Sequence, residues 1–345
     1  MDDYLWAFDA LQLLSAFFII LLGVVSFVFL LLFLIDIFQT KHTIRRNYPL
    51  LGRFRYLFEH LGTFFRQYFF SHDQEEMPFN RAERAWVYRA AKNVDSTIAF
   101  GSTKDTRAKY TVIFLNAPFP ILERDADCNY AMIIGPHCRA PYQSSTFFNI
   151  SGMSYGAISI PAIKALSLGA HRAGCWLNTG EGGLSPYHIE SGADIVFQIG
   201  TAKYGVRDQQ GLFSIERLKE IAENPYVKMF EIKLSQGAKP GKGGILPGTK
   251  VTAEIAAIRR IVVGQDSISP NRHEELQSNE DLLRMIDQVR SSTGKPVGIK
   301  FVLGSSEWLT DLFQLIGQQG IECAPDFITL DSADVSSGVI YQLSW

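Results

Sequence analysis

The feature that most restricts this chain is a stretch without charge near its start. From Ala10 to Ile35 no Asp, Glu, Lys or Arg occurs, and the run LLSAFFIILLGVVSFVFLLLFLI is almost wholly aliphatic or aromatic. A helix of about 20 residues crosses a hydrocarbon core roughly 30 Å thick, and a helix satisfies every backbone N–H and C=O internally there. A buried core helix rarely needs so long a run. A cleaved leader starts basic and ends in small residues, whereas this start is acidic, with Asp2, Asp3 and Asp9. Residues 10–36 therefore read as a retained transmembrane anchor. Lys41, Arg45, Arg46, Arg53 and Arg55 follow it and no Lys or Arg precedes it. The positive-inside bias predicts a single-pass membrane protein with its larger part on the cytoplasmic side.

Residues 37–145 read as a juxtamembrane helical and irregular segment. Within it Phe54, Leu57, Phe58, Leu61, Phe64, Phe65 and Tyr68 recur at helical spacing among arginines. Such a stripe suits the lipid interface or a packing face on the larger domain. Single-stranded nucleic acid is the reading that a position beside an anchor least favours, and no nucleic-acid partner is expected. AERAWVYRAAKNV reads as a helix and TVIFLNAPFPI as a strand broken by proline. Asp125, Asp127, Cys128, His137 and Cys138 have no standard metal-ligand spacing and are read as loop residues.

From residue 146 to 345 the text becomes regular. Short apolar runs (FNISGMSYG, CWLNTGEGG, DIVFQIGTAKYG, KMFEIKLSQG, PVGIKFVLG, DFITLDSAD) alternate with helical stretches such as IPAIKALSLGAHRAG, TAEIAAIRRIV and NEDLLRMIDQVRSS. Strand, crossover helix, strand predicts a parallel sheet. Several runs end in Gly, Ser, Lys, Glu or Gln, which in a (β/α)8 barrel mark the face where the site is built. The loop SQGAKPGKGGILPG lets backbone approach a ligand closely, with Lys239 and Lys242 beside it. NTGEGG places Glu181 in a glycine turn, a ligand contact or a solvated carboxylate. The order of a nucleoside-triphosphate loop and a GxGxxG after the first strand are both lacking. A formal charge of −2 gives no pull towards polyanions, and four scattered cysteines without a CxxC suggest buried thiols.

Together SGMSYGAIS, NTGEGG, QIGTAKYG, EIKLSQGAKPGKGGILPG and ISPNRH resemble the FMN-binding domain of the glutamate synthase family, in the same order. KHTIRRNYPLLGRFRYLFEHL, RQYF and PFNRAERAWVY resemble its shorter, membrane-anchored members. The likeness covers residues 38–331. It implies a (β/α)8 TIM-type FMN barrel and an oxidoreductase that makes glutamate by reductive amination of 2-oxoglutarate, through 2-iminoglutarate. The implied partners are 2-oxoglutarate or a related oxo-acid, ammonia or glutamine-derived nitrogen, membrane lipid and an unidentified electron donor. The implied catalytic residues are Glu181, Lys233 and Lys239. The implied cofactor contacts are Met153, Ser154, Thr179, Gln198, Lys203, Gln236 and Lys300, with Tyr155 beside them. At Lys203 other synthases often carry Arg, a change that keeps charge but loses a bidentate fork.

The pattern breaks after DFITLD, where the family would continue with a second glycine-rich run and this chain reads SADVSSGVIYQLSW. About six strands are expected, hence an incomplete barrel. None of the four cysteines matches the family's iron–sulfur ligands. The competing expectation is a truncated, inactive membrane-tethered remnant that does not hold FMN.

Overall fold

The computed structural model describes residues 5–70, 75, 79–94, 107, 113, 115, 117–126, 131–235, 243–331 and 338–341, in two compact units, residues 1–113 and 114–345. In the first, the uncharged run forms one helix, α1 (Leu5–Phe38). Its portion Asp9–Phe38, 30 residues of mean hydropathy 3.3, is long and apolar enough to cross a membrane. Two shorter helices follow, α2 (Thr43–Asn47) and α3 (Leu51–Phe65), the latter running into a π-helical turn at Arg66–Phe70. Asp36, in the last turn of α1, is buried. Its carboxylate accepts two hydrogen bonds from the Arg53 guanidinium at 2.8 Å and one from the Leu50 N–H at 3.1 Å. The expected AERAWVYRAAKNV helix is α4 (Arg81–Ala91), started by a reciprocal Asn80–Glu83 capping box. The strand expected over TVIFLNAPFPI is not formed among its described residues, 113, 115 and 117–121. Pro118 and Pro120 remove nearby ladder donors there. Of the five residues read as loop rather than metal site, Asp127 and Cys128 lie outside the described residues.

The second unit opens with an antiparallel hairpin, β1 (Met132–Ile134) on β2 (Tyr142–Ser144). Helices then alternate with strands: α5 (Ile160–Ala173), β3 (Trp176–Asn178), α6 (Pro186–Ile189), β4 (Asp194–Ile199), α7 (Ile215–Ala222) and β5 (Val227–Lys233). An insertion carries β6 (Ile245–Leu246), α8 (Ala253–Arg259) and β7 (Ser267–Ile268), the two strands pairing antiparallel. The alternation resumes with α9 (Asn279–Thr293), β8 (Val297–Phe301), α10 (Glu307–Gln319), β9 (Ile328–Asp331) and β10 (Gly338–Tyr341). The sheet order is β10-β9-β8-β5-β4-β3, parallel from β3 to β9. This α/β sheet is a parallel half-barrel, consistent with an incomplete TIM-type barrel.

The first expected strand, FNISGMSYG, is reduced to two isolated bridges, Ile150 to Leu177 and Tyr155 to Ile158. Three backbone hydrogen bonds still lay residues 150–153 along β3, namely Ile150 N–H to Trp176, Asn178 N–H to Ile150 and Met153 N–H to Asn178. Two glycines, Gly152 and Gly156, lower the strand propensity of this segment. The helix expected over TAEIAAIRRIV stops at Arg259, because Arg260 adopts φ 59°.

Period-2 alternation sorts each strand into two faces. Ile195, Phe197 and Ile199 of β4, Phe230 and Ile232 of β5, and Val297, Ile299 and Phe301 of β8 join one cluster with Leu282, Ile286 and Val289 of α9. Burying each such side chain contributes about 1.5–3 kcal/mol. On the inner face Trp176, Val196, Met229 and Phe327 pack with Ile134 and Tyr142 of the hairpin, forming an apolar floor. Gly298 lies among them without a side chain, and a Cβ there would run into the Phe327 ring.

Candidate active site

Above that floor every inner-facing position is polar. β3 presents Asn178, β4 Gln198, β5 Glu231 and Lys233, β8 Lys300, and β9 Thr329 and Asp331, all buried. Glu231 is only 2% exposed. One carboxylate oxygen accepts from Asn178 Nδ2 at 2.8 Å and Gln198 Nε2 at 2.6 Å, the other from Thr329 Oγ1 at 2.6 Å. Three strands thus converge on one carboxylate, which replaces the hydration lost on burial.

Lys233 and Lys300 are register partners on adjacent parallel strands. Each is balanced by a carboxylate: Lys233 Nζ lies 3.0 Å from Glu181 Oε2, and Lys300 Nζ 3.3 Å from Asp331 Oδ1. Glu181 sits in a 3-10 turn, Gly180–Gly182, directly after β3. Glycines make room for it. A Cβ at Gly200 would come within 2.6 Å of the Glu181 Cβ, and one at Gly244 would strike its carboxylate. Gly180 has φ +61°, and a Cβ there would come within 2.9 Å of the Ser154 N. Met153 and Ser154 therefore lie against the Glu181 turn.

Two buried histidines hold backbone here. The His188 Nδ1 accepts from the Ser185 N–H at 3.2 Å, so its Nε2–H donates to the Met153 carbonyl at 2.9 Å. His273 Nε2 donates to the Lys233 carbonyl at 3.0 Å. Burial keeps both imidazoles below their ordinary pKa and therefore neutral. Arg259 is also buried. Its guanidinium donates to Ser267 Oγ and the Tyr155 carbonyl, each at 3.1 Å, and lies 5.2 Å from the Tyr204 ring centroid. Burial lowers its pKa against the opposing pull of Tyr204 and Glu181.

Met153, Ser154, Glu181, Gln198, Lys233 and Lys300 line one cleft of about 420 Å³, with Arg259, Lys250 and Ser269 on its wall. Of the expected site residues, these six are brought together. Thr179 is buried behind them, accepting from the Gln198 N–H at 3.1 Å and donating to the Gly180 carbonyl at 2.9 Å. Tyr155 packs away in the cluster with Ile163, Leu246 and Ile255. Lys203 does not join the cleft. Its backbone takes φ 55° and its Nζ pairs with Glu275 at 3.0 Å, beside a separate open groove. Gln236, Lys239 and Lys242 lie outside the described residues. Sequence reasoning did not assign Asn178, Glu231, Thr329, Asp331, Arg259, His188 or His273 to the site. For the first four a signal existed: a polar residue interrupts each apolar strand at the inner-facing position. For Arg259 and the histidines no local signal exists.

The conserved-region model for glutamate synthase matches residues 99–339. The chain is 37% identical to the glutamate synthase large subunit-like protein YerD of Bacillus subtilis, over 96% of this chain and 70% of that protein. It is 39% identical to an archaeal glutamate synthase (NADPH) of Methanocaldococcus jannaschii, over 44% of this chain and 28% of that one. With the chloroplastic ferredoxin-dependent glutamate synthase of Oryza sativa it shares 33% identity over 50% of this chain, but over only 12% of that enzyme. The match takes in the strands and loops that build the cleft, and the chain belongs to the glutamate synthase family of oxidoreductases.

Proposed function

We propose that this chain is an FMN oxidoreductase that reductively aminates 2-oxoglutarate, or a close oxo-acid, to glutamate. The observation that carries the reading is the cleft itself, which gathers Lys233, Lys300 and Arg259 with Glu181, the last bonded to Lys233. A planar ring that gains negative charge on reduction and a dicarboxylate substrate both call for fixed cations in a water-poor site. The cleft also falls within the roughly 300–1,000 Å³ usual for small-ligand sites. These features fit the ring portion of FMN.

Met153, Ser154, Gln198 and Lys300 would hold that ring, and bound FMN supplies the hydride chemistry. Lys300 would stabilise negative charge at the ring edge, while Lys233 and Arg259 would take the substrate carboxylates. Glu181 and Lys233, bonded to each other at 3.0 Å, would pass a proton to the imine nitrogen. Gln236 and Lys239, on the glycine-rich loop, and Thr179 complete the proposed set, while Lys203, paired with Glu275 outside the cleft, is left out of it. Oxo-acid plus ammonia plus two electrons and two protons gives amino acid and water. The electrons must come from a separate donor. Relatives are named for two different ones, NADPH and ferredoxin, and the residues of this cleft favour neither.

The unit carrying the cleft is tethered to a membrane by α1, on the cytoplasmic side by the basic residues that follow it. The test is flavin content and glutamate formation by the detergent-purified chain, using ammonia and a reduced dye. Lys300→Ala should lower turnover about 10²–10³-fold, assayed well below a melting temperature that itself falls because the buried Asp331 carboxylate loses its partner. Unaltered turnover would remove Lys300 from the site, and a wild-type chain without flavin would overturn the FMN reading.

A further inference from the structure

The stripe on α3 is left unexplained by the cleft. At about 100° per residue, Phe54, Leu57, Phe58, Leu61 and Phe65 fall on one side of this helix, with exposures of 54, 50, 65, 37 and 43%. The other side is occupied. Gly52 packs on α2 so closely that a Cβ would sit 2.8 Å from the Ile44 carbonyl oxygen. Tyr56 stacks under Arg45 at 4.8 Å and meets the His42 ring edge-on at 5.2 Å. Farther round lie Arg55 and Glu59, paired at 2.9 Å.

What this apolar side meets follows from how α3 is attached. The Asp36–Arg53 pair and the Leu50 N–H fasten the first turn of α3 to the last turn of α1. Gln39 stiffens the corner, donating to the Asp36 and His42 carbonyls and accepting from the His42 N–H. If α1 spans a bilayer, its last turn lies at the headgroup boundary, and so does the start of α3. Lys41, Arg45 and Arg46 lie in the short stretch that joins the two helices, which matches the charge of anionic headgroups.

We propose that α3 is an interfacial helix, with Phe54, Leu57, Phe58, Leu61 and Phe65 inserted among the upper acyl chains and Lys41, Arg45 and Arg46 at anionic lipid headgroups. The chain then has a two-part anchor, one helix across the bilayer and one along it. This rests on the tether reading for α1, and the experiment separates the two. The full chain is reconstituted in phosphatidylcholine vesicles containing phosphatidylglycerol. Carbonate extraction reports on α1. The emission added by Phe58→Trp over the unsubstituted chain reports on α3, with Thr63→Trp on the opposite side as reference.

Lipids brominated near the headgroup end of their chains should remove most of the emission added at position 58, and aqueous iodide little of it. At position 63 the pattern should reverse. In carbonate-resistant vesicles, iodide quenching at position 58 would overturn the interfacial helix and leave the tether standing. Emission at position 58 that neither quencher reaches would overturn it too, showing protein over the stripe. Release by carbonate would overturn both.

Discussion

Two buried carboxylates, Asp36 at the α1–α3 corner and Glu231 in the half-barrel, are satisfied in opposite ways. Asp36 faces a guanidinium that neutralises it at 2.8 Å. Glu231 accepts from two amides and a hydroxyl, all uncharged. The first arrangement spends its charge locally and makes a clamp. The second ties strands together: uncharged donors from β3, β4 and β9 replace the water that the Glu231 carboxylate gives up on burial. A buried carboxylate therefore signals different roles according to whether its partners are ionised.

Glu231→Ala tests the contrast most severely. It leaves three buried donors without an acceptor, at about 1–3 kcal/mol each, and a loss on the order of 3 kcal/mol or more is expected in the unfolding free energy of the half-barrel, read from denaturant titration. Glu231→Gln should cost less, since one acceptor survives. If both variants unfold like the wild type, Glu231 is not the hub described.

Asp36→Asn should act smaller and locally. Arg53 is 32% exposed at its side chain and can regain water, so global stability should change by about 1 kcal/mol. The readout is limited proteolysis in detergent, with faster cleavage between residues 39 and 50. An unchanged digestion pattern would show that the corner holds without its charge pair.

Acid should separate the regions again. His188 and His273 have folded pKa values below their ordinary 6.5, so below that pH the unfolded chain binds protons that the native one refuses. Stability is whole above about pH 6.5 and declines as pH falls, by at most about 1.4 kcal/mol per pH unit for each histidine. Melting of the half-barrel from pH 8 to 5 checks this, and His188→Asn should flatten the slope. A steeper loss above pH 6.5 than below would contradict it.

The smallest effect is expected from Lys203→Ala. Paired with Glu275 outside the cleft, Lys203 should leave flavin content within about twofold, against the large loss of turnover expected of Lys300→Ala. A comparable loss in both variants would mean that Lys203 swings into the cleft on binding.

Much of this was legible in the chain. The apolar runs gave β3, β4, β5, β8 and β9, because a strand buried on both sides needs little beyond Val, Ile, Phe and a terminal glycine. Glu181, Lys233 and Lys300 were readable as strand-end charges. Glu231, Asn178 and Thr329 each interrupt an apolar run, and Gln198 was expected in the site, but their convergence was not legible, since they come from β5, β3, β9 and β4 and meet only when the sheet curls. Arg259 was hidden for a related reason. It ends a short helix, and only tertiary packing against Tyr155, Tyr204 and Ser267 points it at the cleft. Lys203 was misdirected by a partner far along the chain.

Gly298 carries one more consequence, for how this sequence can drift. It offers no atoms to the floor, yet the Phe327 ring occupies the space its side chain would need. The two positions are thus one unit of inheritance: alanine at 298 becomes tolerable only after 327 has shrunk, and in the other order it is lethal to the fold. A pairwise mutational library should show that path dependence, with Gly298→Ala depleted alone and recovered beside Phe327→Leu.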